Sequence, residues 1–255
     1  MANLNPRLTL VGAGPGDPDL ITVKGLKALQ SADVILYDAL IDKDLLKNAP
    51  QAKKIFVGKR KGLKIYSQEA INEMIVEKAY AYGHVVRLKG GDPFIFGRGA
   101  EEIAHARRFG VRCDVVPGIS SSNAVPASIG ISVTLRNVAQ SYMVLTGTTS
   151  SREFNQDIAL AAQTSATLVI LMGIGQMEKI VSLYRALGNS NTPIAIIQNG
   201  FCKNQKQVVG DMDSILDLIE KEEIGNPAVI VIGEVVKHAQ QVNQILADEK
   251  LLQIA

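Results

Sequence analysis

The chain has 255 residues, and 47% of them are hydrophobic. This is enough chain to bury the core of one large domain or of two modest ones. Lys and Arg number 27 and Asp and Glu number 25, and the resulting formal net charge of +2 is too balanced to indicate nucleic acid or an anionic membrane as a partner.

Cysteine and histidine usage narrows the class of protein further. Cys113 and Cys202 stand far apart in the sequence, and no secretory leader follows Met1, so we expect reduced thiols and a cytoplasmic location. The three histidines have no metal-ligand spacing, and the two cysteines add none, so no metal is expected. The uncharged segment 158–177 is broken by polar residues and glycines, which favours a buried core segment over a membrane span.

The first half of the chain alternates between apolar runs of strand length and stretches with helical spacing. This alternation predicts a mostly parallel sheet flanked by helices. One helix is predicted after a cap at Ser67, with an apolar stripe from Ile71 to Tyr82. The predicted strands of this half are 8–11, 34–37, 55–57, 85–88 and 115–116.

A second set of strands and helices follows a break at Pro117 and Gly118 and a polar cluster at 120–123. We therefore predict two α/β domains with mostly parallel sheets, residues 1–117 and residues 118–255, rather than one very large sheet. The second set is predicted as strands at 143–145, 168–171, 194–197, 208–209 and 229–232, and as helices near 177–187 and 215–219.

The motif LKGGDPFIFGRG, residues 88–99, is the most informative part of the sequence. It follows a predicted buried strand, and its four glycines and one proline shape the backbone into a loop. Arg98 and Glu101 then begin a predicted helix, which places charged side chains where the strand ends. Open parallel sheets bind ligands at this kind of edge.

A second glycine loop, GAGPGDP at residues 12–18, follows the first predicted strand. It does not match the dinucleotide motif G-x-G-x-x-G, because Asp17 stands where the third glycine belongs. Pro15 and Pro18 also remove two backbone N–H groups that would bind a pyrophosphate. The loop is therefore suited to a ligand without phosphates, including a cationic one.

These two loops, together with VGKR at 57–60 and VPGIS at 116–120, resemble the tetrapyrrole methylase family, and the resemblance runs from about Leu8 to Val236. It implies two α/β domains with a ligand cleft between them and S-adenosylmethionine as methyl donor. The activity it implies is methylation of uroporphyrinogen III at C2 and C7 to give precorrin-2 and S-adenosylhomocysteine, in sirohaem, cobalamin or haem d1 synthesis. A homodimer is implied as well.

The family resemblance assigns the donor contacts to both halves of the chain. Glycines admit close backbone approach, and Asp92 can face a cationic amine or ribose hydroxyls. The donor residues that the resemblance implies are Pro15, Gly90, Gly91, Asp92, Ile95, Ser120, Ser121, Met172, Gly200 and Ala228.

The substrate has eight carboxylates, so its site needs cationic groups. The resemblance implies Arg98, Glu101 and Arg136 at the substrate, although Arg98 and Glu101 could also form a plain surface ion pair. It assigns Asp38 as proton acceptor and Lys59 as proton donor, and a strand-end salt bridge is the alternative for that pair. A base is useful because methylating a pyrrole carbon makes a cation that must lose a proton.

Three positions depart from the family pattern. Leu135 and Thr148 stand where histidines are usual, and Ala100 stands where a glycine is usual. A tetrapyrrole-binding carrier without turnover therefore stays open as an alternative. So does a dinucleotide-dependent oxidoreductase, which the first glycine loop and an acidic residue at Asp33 would support.

Overall fold

The computed structural model describes residues 5–58, 66–151, 153–239 and 244. Contacts divide the chain into two units, Met1–Ser120 and Ser121–Ala255. The division falls a few residues after the boundary that the sequence predicts. Each unit is built on one five-stranded sheet.

The first unit follows the predicted alternation of strands and helices. Its elements are β1 (Arg7–Gly12), α1 (Val23–Gln30), β2 (Val34–Tyr37), β3 (Lys53–Phe56), α2 (Gln68–Tyr82), β4 (His84–Lys89), α3 (Gly99–Arg108) and β5 (Arg112–Val116). The strand order is β3-β2-β4-β1-β5, and every pairing is parallel. Each pair of consecutive strands is joined through a helix or a 3-10 turn, as parallel pairing requires.

Both faces of this sheet are buried, which explains why its strands read as continuous apolar runs. In β2, Val34 and Leu36 pack into one hydrophobic cluster, while Ile35 packs into the cluster on the opposite face. The predicted cap of α2 is confirmed, because Ser67 Oγ accepts a hydrogen bond from the backbone N–H of Ala70 (3.2 Å).

The second unit is also an α/β structure. Its elements are α4 (Ser121–Ala127), β6 (Tyr142–Thr146), α5 (Asp157–Ala161), β7 (Thr167–Leu171), α6 (Met177–Ala186), β8 (Pro193–Gln198), β9 (Lys206–Asp211), α7 (Ile215–Lys221) and β10 (Ala228–Ile232). The uncharged segment 158–177 is divided among α5, β7 and the start of α6. No helix in the described ranges is both long and apolar enough to cross a membrane.

Strand direction in the second sheet differs from the sequence-based expectation. The order is β6-β7-β10-β8-β9, and only β6 and β7 pair in parallel. The connection 199–205 between β8 and β9 is too short for a parallel crossover, so these strands form an antiparallel pair. In β10, Ile230 and Ile232 pack on one face and Val229 and Val231 on the other. Such a run is apolar on both faces and carries no signal of direction.

The two glycine loops of the first unit are joined at the carboxyl edge of its sheet. Gly14 donates its N–H to Gly91 O (3.3 Å), and Gly91 donates its N–H to Gly14 O (2.7 Å). Gly118 lies against the same junction, because a Cβ built on it would lie 2.3 Å from Gly91 O and 2.6 Å from the Cα of Gly12. The absence of a side chain at Gly118 is therefore needed for these loops to approach one another.

Replacing Gly118 with alanine tests this packing. We expect Gly118→Ala to lower the free energy of unfolding by about 1–3 kcal/mol, because the new methyl group must displace backbone atoms. Gly175→Ala is the matched control, since a Cβ there would meet nothing within 4 Å. Thermal denaturation of both variants measures the effect, and equal melting temperatures would mean that the junction tolerates a side chain.

Candidate functional site

The sequence-predicted residues of the first unit lie mainly in loops that follow parallel strands. Because β1, β2, β4 and β5 run in parallel, their carboxyl ends lie at one edge of the sheet. The first glycine loop follows β1, Asp38 follows β2, and the second glycine loop follows β4. The fold therefore collects at one edge the features that the sequence singled out.

Asp92 holds the second glycine loop in shape. Its Oδ1 accepts a hydrogen bond from the backbone N–H of Phe94 (2.8 Å), and its Oδ2 accepts one from the backbone N–H of Gly118 (3.0 Å). The carboxylate thus fastens two loops at the edge of the sheet. Each oxygen of a carboxylate has a second lone pair, so Asp92 can still accept a hydrogen bond from a ligand.

Hydrophobic side chains of the same loop are exposed. Phe94, Ile95 and Phe96 have 55%, 41% and 45% of their surface accessible. Gly90, by contrast, faces Leu40, whose Cβ would lie 3.0 Å from a Cβ on the glycine. The loop therefore presents an apolar surface for contact, whereas the space beside Gly90 is taken by the protein itself.

Arg98 and Glu101 form the surface ion pair that their spacing allows. Arg98 Nε lies 2.9 Å from Glu101 Oε1, Arg98 Nη2 lies 2.6 Å from Oε2, and the side chains are 51% and 53% exposed. The hydrogen bond from Arg98 lowers the pKa of Glu101, and Glu101 raises the pKa of Arg98. An exposed pair of this kind contributes less than about 1 kcal/mol to stability, so an anionic ligand can compete for the guanidinium.

A buried group of two cations and two carboxylates lies beneath this edge. It consists of Asp38, Arg87, Lys89 and Glu102, and we call it the charge cluster. Arg87 Nη2 lies 2.6 Å from Asp38 Oδ1, and Arg87 Nε lies 3.1 Å from Glu102 Oε1. Lys89 Nζ lies 3.0 Å from the same Glu102 oxygen and 4.0 Å from Asp38 Oδ2.

Burial of the charge cluster shifts the ionisation of its cations. Burial lowers the pKa of Lys89, and the neighbouring Arg87 cation lowers it further, against the opposing pull of Glu102 and Asp38. Burial also disfavours the charged form of Arg87, but Asp38 and Glu102 outweigh it and raise the pKa of Arg87. The side chain of Glu102 is 0% exposed, and its Oε2 has no hydrogen-bond partner among the described residues.

Sequence reasoning missed Arg87, Lys89 and Glu102 as one group. Arg87 stands inside the run 85–88, whose other three residues are apolar, and a charged residue inside a strand buried on both faces is the signal that could have revealed it. Asp38 was recognised, but its expected partner Lys59 lies outside the described residues. Within the described chain the ion-pair partners of Asp38 are Arg87 and Lys89.

The first glycine loop contains a half-buried Pro15 and a local cap. Asp17 Oδ1 accepts a hydrogen bond from the backbone N–H of Asp19 (2.9 Å) and thereby caps the 3-10 turn Pro18–Leu20. The carboxylate that replaces the third glycine of a dinucleotide loop therefore has a structural role of its own.

In the second unit, Met172 follows β7 in a left-handed conformation (φ 55°), and its side chain is 51% exposed. Thr148 Oγ1 donates a hydrogen bond to Met172 O (3.1 Å). Gly147 donates its N–H to Leu171 O (2.7 Å), and a Cβ on Gly147 would lie 2.3 Å from the Cα of Gly173. Thr148, which stands where the family usually has histidine, therefore holds the backbone of Met172.

The other donor candidates lie near α4 and the strands behind it. Ser120 and Ser121 are half-buried, and Ser121 begins α4. Gly200 packs against that helix, because a Cβ on it would lie 2.5 Å from Val125 Cγ1. Ala228 begins β10, which also contacts α4. The structure thus brings Ser121, Gly200 and Ala228 to elements that pack together within the second unit.

Arg136 lies at the tip of a tight turn. Leu135 and Ala139 close the turn with two backbone hydrogen bonds of 2.9 Å each, and Leu135 packs against a hydrophobic cluster of the second unit. The side chain of Arg136 is exposed and forms no hydrogen bond or ion pair with any described residue. Leu135 therefore anchors the turn, and the guanidinium beside it is available to an anion.

We find no group of three or more His, Cys, Asp or Glu within the described ranges that could hold a metal ion. The groups at the carboxyl edge of the first sheet include the carboxylate of Asp92, exposed aliphatic and aromatic side chains and backbone polar groups. This set fits a ligand that carries positive charge, an apolar part and hydrogen-bonding groups, which is the chemistry of S-adenosylmethionine.

Comparison with known proteins agrees with these features. Residues 7–216 match the family described as Tetrapyrrole (Corrin/Porphyrin) Methylases. A uroporphyrinogen-III C-methyltransferase from Methanocaldococcus jannaschii is 48% identical over 233 residues, which is 90% of this chain and 96% of that protein. One from Priestia megaterium is 44% identical over 236 residues, which is 90% of this chain and 98% of that protein.

Solved structures show the same fold. The crystal structure of uroporphyrin-III C-methyl transferase from Thermus thermophilus complexed with S-adenyl homocysteine superposes with a TM-score of 0.77 at 36% identity, over 91% of this chain and 99% of that chain. The fold and its glycine loops thus define an α/β protein of the methylase class. The chain belongs to the tetrapyrrole methylase family, as the sequence motifs predict.

Adjacent glutamates test the difference between the buried charge cluster and the surface pair. Glu102→Gln should lower the free energy of unfolding by about 3 kcal/mol or more, because it leaves two buried cations facing one carboxylate. Glu101→Gln, one residue earlier on α3, should cost less than about 1 kcal/mol. Chemical denaturation of both variants measures the difference. Equal losses would show that the cluster is no more tightly coupled than the surface pair.

Proposed function

We propose that the protein transfers methyl groups from S-adenosylmethionine to C2 and C7 of uroporphyrinogen III and releases precorrin-2 and S-adenosylhomocysteine. The observation that carries this proposal is the 48% and 44% identity to uroporphyrinogen-III C-methyltransferases across 90% of the chain. A relative crystallised with S-adenyl homocysteine supports the choice of donor. The joined glycine loops at the carboxyl edge of the first sheet support a ligand site there.

We propose that the donor contacts come from the residues that the resemblance assigns in each unit. When bound, S-adenosylmethionine supplies a methyl group on a positively charged sulfur and leaves as a neutral thioether. In the first unit, Asp92 can accept hydrogen bonds from the donor, and the exposed side chain of Ile95 can cover its apolar part. In the second unit, the left-handed turn at Met172 exposes backbone groups that Thr148 helps to fix.

Asp38 is the proposed proton acceptor. Methylation of a pyrrole carbon forms a new C–C bond and leaves the ring cationic, so a proton must leave the ring before the product is released. The Asp38 side chain is 27% exposed, follows a strand at the carboxyl edge and is held by Arg87. This combination of fixed orientation and partial exposure suits a group that accepts a proton from a bound substrate.

Arg136 and Arg98 are the proposed contacts to the carboxylates of the substrate. A planar guanidinium binds a carboxylate through two parallel hydrogen bonds. Arg136 is exposed and unpaired within the described chain, whereas Arg98 must share its guanidinium with Glu101. We therefore expect Arg136 to be the stronger of the two clamps.

The structure supports catalysis of methyl transfer rather than the role of a tetrapyrrole carrier. The carrier alternative rested on the missing histidines, but Leu135 anchors the turn that presents Arg136, and Thr148 bonds to the backbone of Met172. Both replacements thus serve the local structure.

The dinucleotide alternative is weakened by the capping role of Asp17 in the first glycine loop. We also propose a cytoplasmic homodimer that binds neither nucleic acid nor membrane. The family resemblance supports the homodimer, which sedimentation can test, and the balanced charge of the chain supports the absence of nucleic-acid and membrane partners.

Anaerobic incubation with uroporphyrinogen III and methyl-labelled donor tests the proposed function. We expect label in a dimethylated product and formation of S-adenosylhomocysteine in step with it. Calorimetry on the same sample should show saturable binding of S-adenosylhomocysteine and none of NAD or NADP. Binding of the tetrapyrrole without label transfer would favour a carrier, and saturable NAD binding would contradict the methyltransferase assignment.

Arg136 gives a residue-level prediction. Arg136→Ala should lower kcat/KM by about tenfold or more while donor affinity stays unchanged, because a contact to an anionic substrate is lost. Arg136→Lys should recover only part of the loss, since an ammonium lacks the planar fork. Arg185→Ala is a matched control, because Arg185 is an exposed arginine of the same unit that pairs with Asp213 (3.1 Å). Normal turnover in Arg136→Ala would remove this residue from the site.

A further inference from the structure

The guanidinium of Arg87 donates hydrogen bonds through all three of its nitrogen atoms. Its Nε donates to Glu102 Oε1, its Nη1 donates to the backbone carbonyls of Leu36 (3.3 Å) and Leu88 (3.2 Å), and its Nη2 donates to Asp38 Oδ1 (2.6 Å). The side chain is only 3% exposed. An arginine held by four hydrogen bonds in a buried site has a single orientation, so the group it binds has a defined position as well.

Asp38 is bound asymmetrically by this arginine. Its Oδ1 receives the hydrogen bond from Arg87, whereas its Oδ2 forms no hydrogen bond with any described residue, and Lys89 Nζ lies 4.0 Å from Oδ2. The Asp38 side chain is 27% exposed, far more than Arg87. One oxygen is therefore anchored inside the protein, and the other has an unused lone pair near the carboxyl edge of the sheet.

Glu102 makes this arrangement possible. Without an internal anion, two buried cations would compete for Asp38, and the cost of burying them would fall on that one carboxylate. Glu102 accepts hydrogen bonds from Arg87 Nε and from Lys89 Nζ (3.0 Å), and it is itself fully buried. Lys89 is thus satisfied by Glu102, and Arg87 can direct its Nη2 to Asp38.

We propose that Arg87 is a positioning residue for the reaction: it anchors Asp38 Oδ1 so that Oδ2 faces the proton that the methylated ring must lose. This inference rests on the proposed function and on Asp38 as its proton acceptor. Arg87 touches no reacting atom and acts only through Asp38. Glu102 supports Arg87 from beneath, as the partner that balances the second cation.

A purely structural role for Arg87 predicts a different pattern of effects. If Arg87 only stabilises the fold, its replacement lowers stability and lowers activity by the same factor whether Asp38 is present or not. If it acts through Asp38, its replacement lowers kcat only while Asp38 is present. A double-mutant cycle on kcat separates these two roles, because it compares the same substitution in two backgrounds.

The experiment measures kcat, KM, donor affinity and melting temperature for Arg87→Met, Asp38→Asn and the double variant. We expect Arg87→Met to lower kcat by about tenfold or more with little change in donor affinity, as for a misplaced catalytic group. In the Asp38→Asn background the same substitution should change kcat by less than about twofold. Arg87→Lys should recover part of the loss, since one ammonium cannot make all of these contacts.

Thr9→Val is the matched control for stability. Thr9 is 5% exposed and pairs with Val86 of the neighbouring strand β4, and its hydroxyl contacts His84 Nε2 (2.9 Å) rather than any member of the charge cluster. This variant should lower the melting temperature and leave kcat unchanged. If Arg87→Met does not fold, Arg87→Lys, which keeps the cation, takes its place in the cycle and is compared in both backgrounds.

The possible outcomes separate this inference from the proposed function. Absence of methyl transfer in the unaltered protein would overturn the proposed function, and the role of Arg87 with it. Full turnover in Asp38→Asn would overturn Asp38 as proton acceptor and therefore Arg87 as its positioning residue, while the methyltransferase function would stand. If Asp38→Asn lowers turnover, two results would overturn the positioning role alone. One is a normal kcat in the Arg87 variant, and the other is an equal loss of kcat from the Arg87 substitution in both backgrounds.

Discussion

The charge cluster of the first unit sets the constraint on which the proposed chemistry depends. Arg87 and Lys89 belong to β4, Glu102 belongs to α3, and Asp38 follows β2. A buried charge is tolerated only when it is paired, so these elements must keep their relative positions for the cluster to persist. If a hydrophobic residue replaced Arg87 or Lys89, the protein could become more stable only if the carboxylate that pairs with that cation were replaced as well. The cluster is therefore better understood as a device for orientation than as a source of stability.

The same edge of the sheet shows what the glycines of the two motifs do. The sequence argument assigns them to close approach between backbone and ligand. In the structure, Gly12, Gly91 and Gly118 are close to one another, and a methyl group at Gly118 would collide with backbone. These glycines serve first to bring three loops together, and Asp92 then fastens two of those loops by accepting backbone hydrogen bonds from Phe94 and Gly118. A ligand at this edge therefore meets loops whose positions are already fixed.

Apolar runs were enough to locate every strand in the described chain, because each of these strands lies in a sheet with buried positions that favour such residues. The direction of β10 could not be predicted this way, since a run that is apolar on both faces is compatible with either direction. Arg87 was missed for a related reason: Val85, Val86 and Leu88 around it predict a strand, and the periodicity does not say that a charged member has a buried partner. The partners, Asp38 and Glu102, are distant in sequence and meet only in the fold.

By contrast, the pair of Arg98 and Glu101 could be predicted, because side chains three residues apart at a helix lie next to each other.

Thr148 and Leu135, the two residues that depart from the histidines of the family pattern, each contribute to the local structure. An imidazole and a threonine hydroxyl can each donate one hydrogen bond, and Thr148 uses its hydroxyl on the backbone oxygen of Met172. The side chain of leucine cannot donate a hydrogen bond, and that of Leu135 instead packs against a hydrophobic cluster of the second unit. Thr148 makes a polar contact and Leu135 makes an apolar one, yet both hold a backbone segment that presents a predicted site residue. Since positioning is the main task of a protein that transfers a group between two bound molecules, residues that fix backbone can substitute for one another more freely than residues that move a proton. Asp38 has no such substitute at its position, which is why the reaction is expected to be far more sensitive to Asp38 and its anchor Arg87 than to the chemical identity of residues 135 and 148.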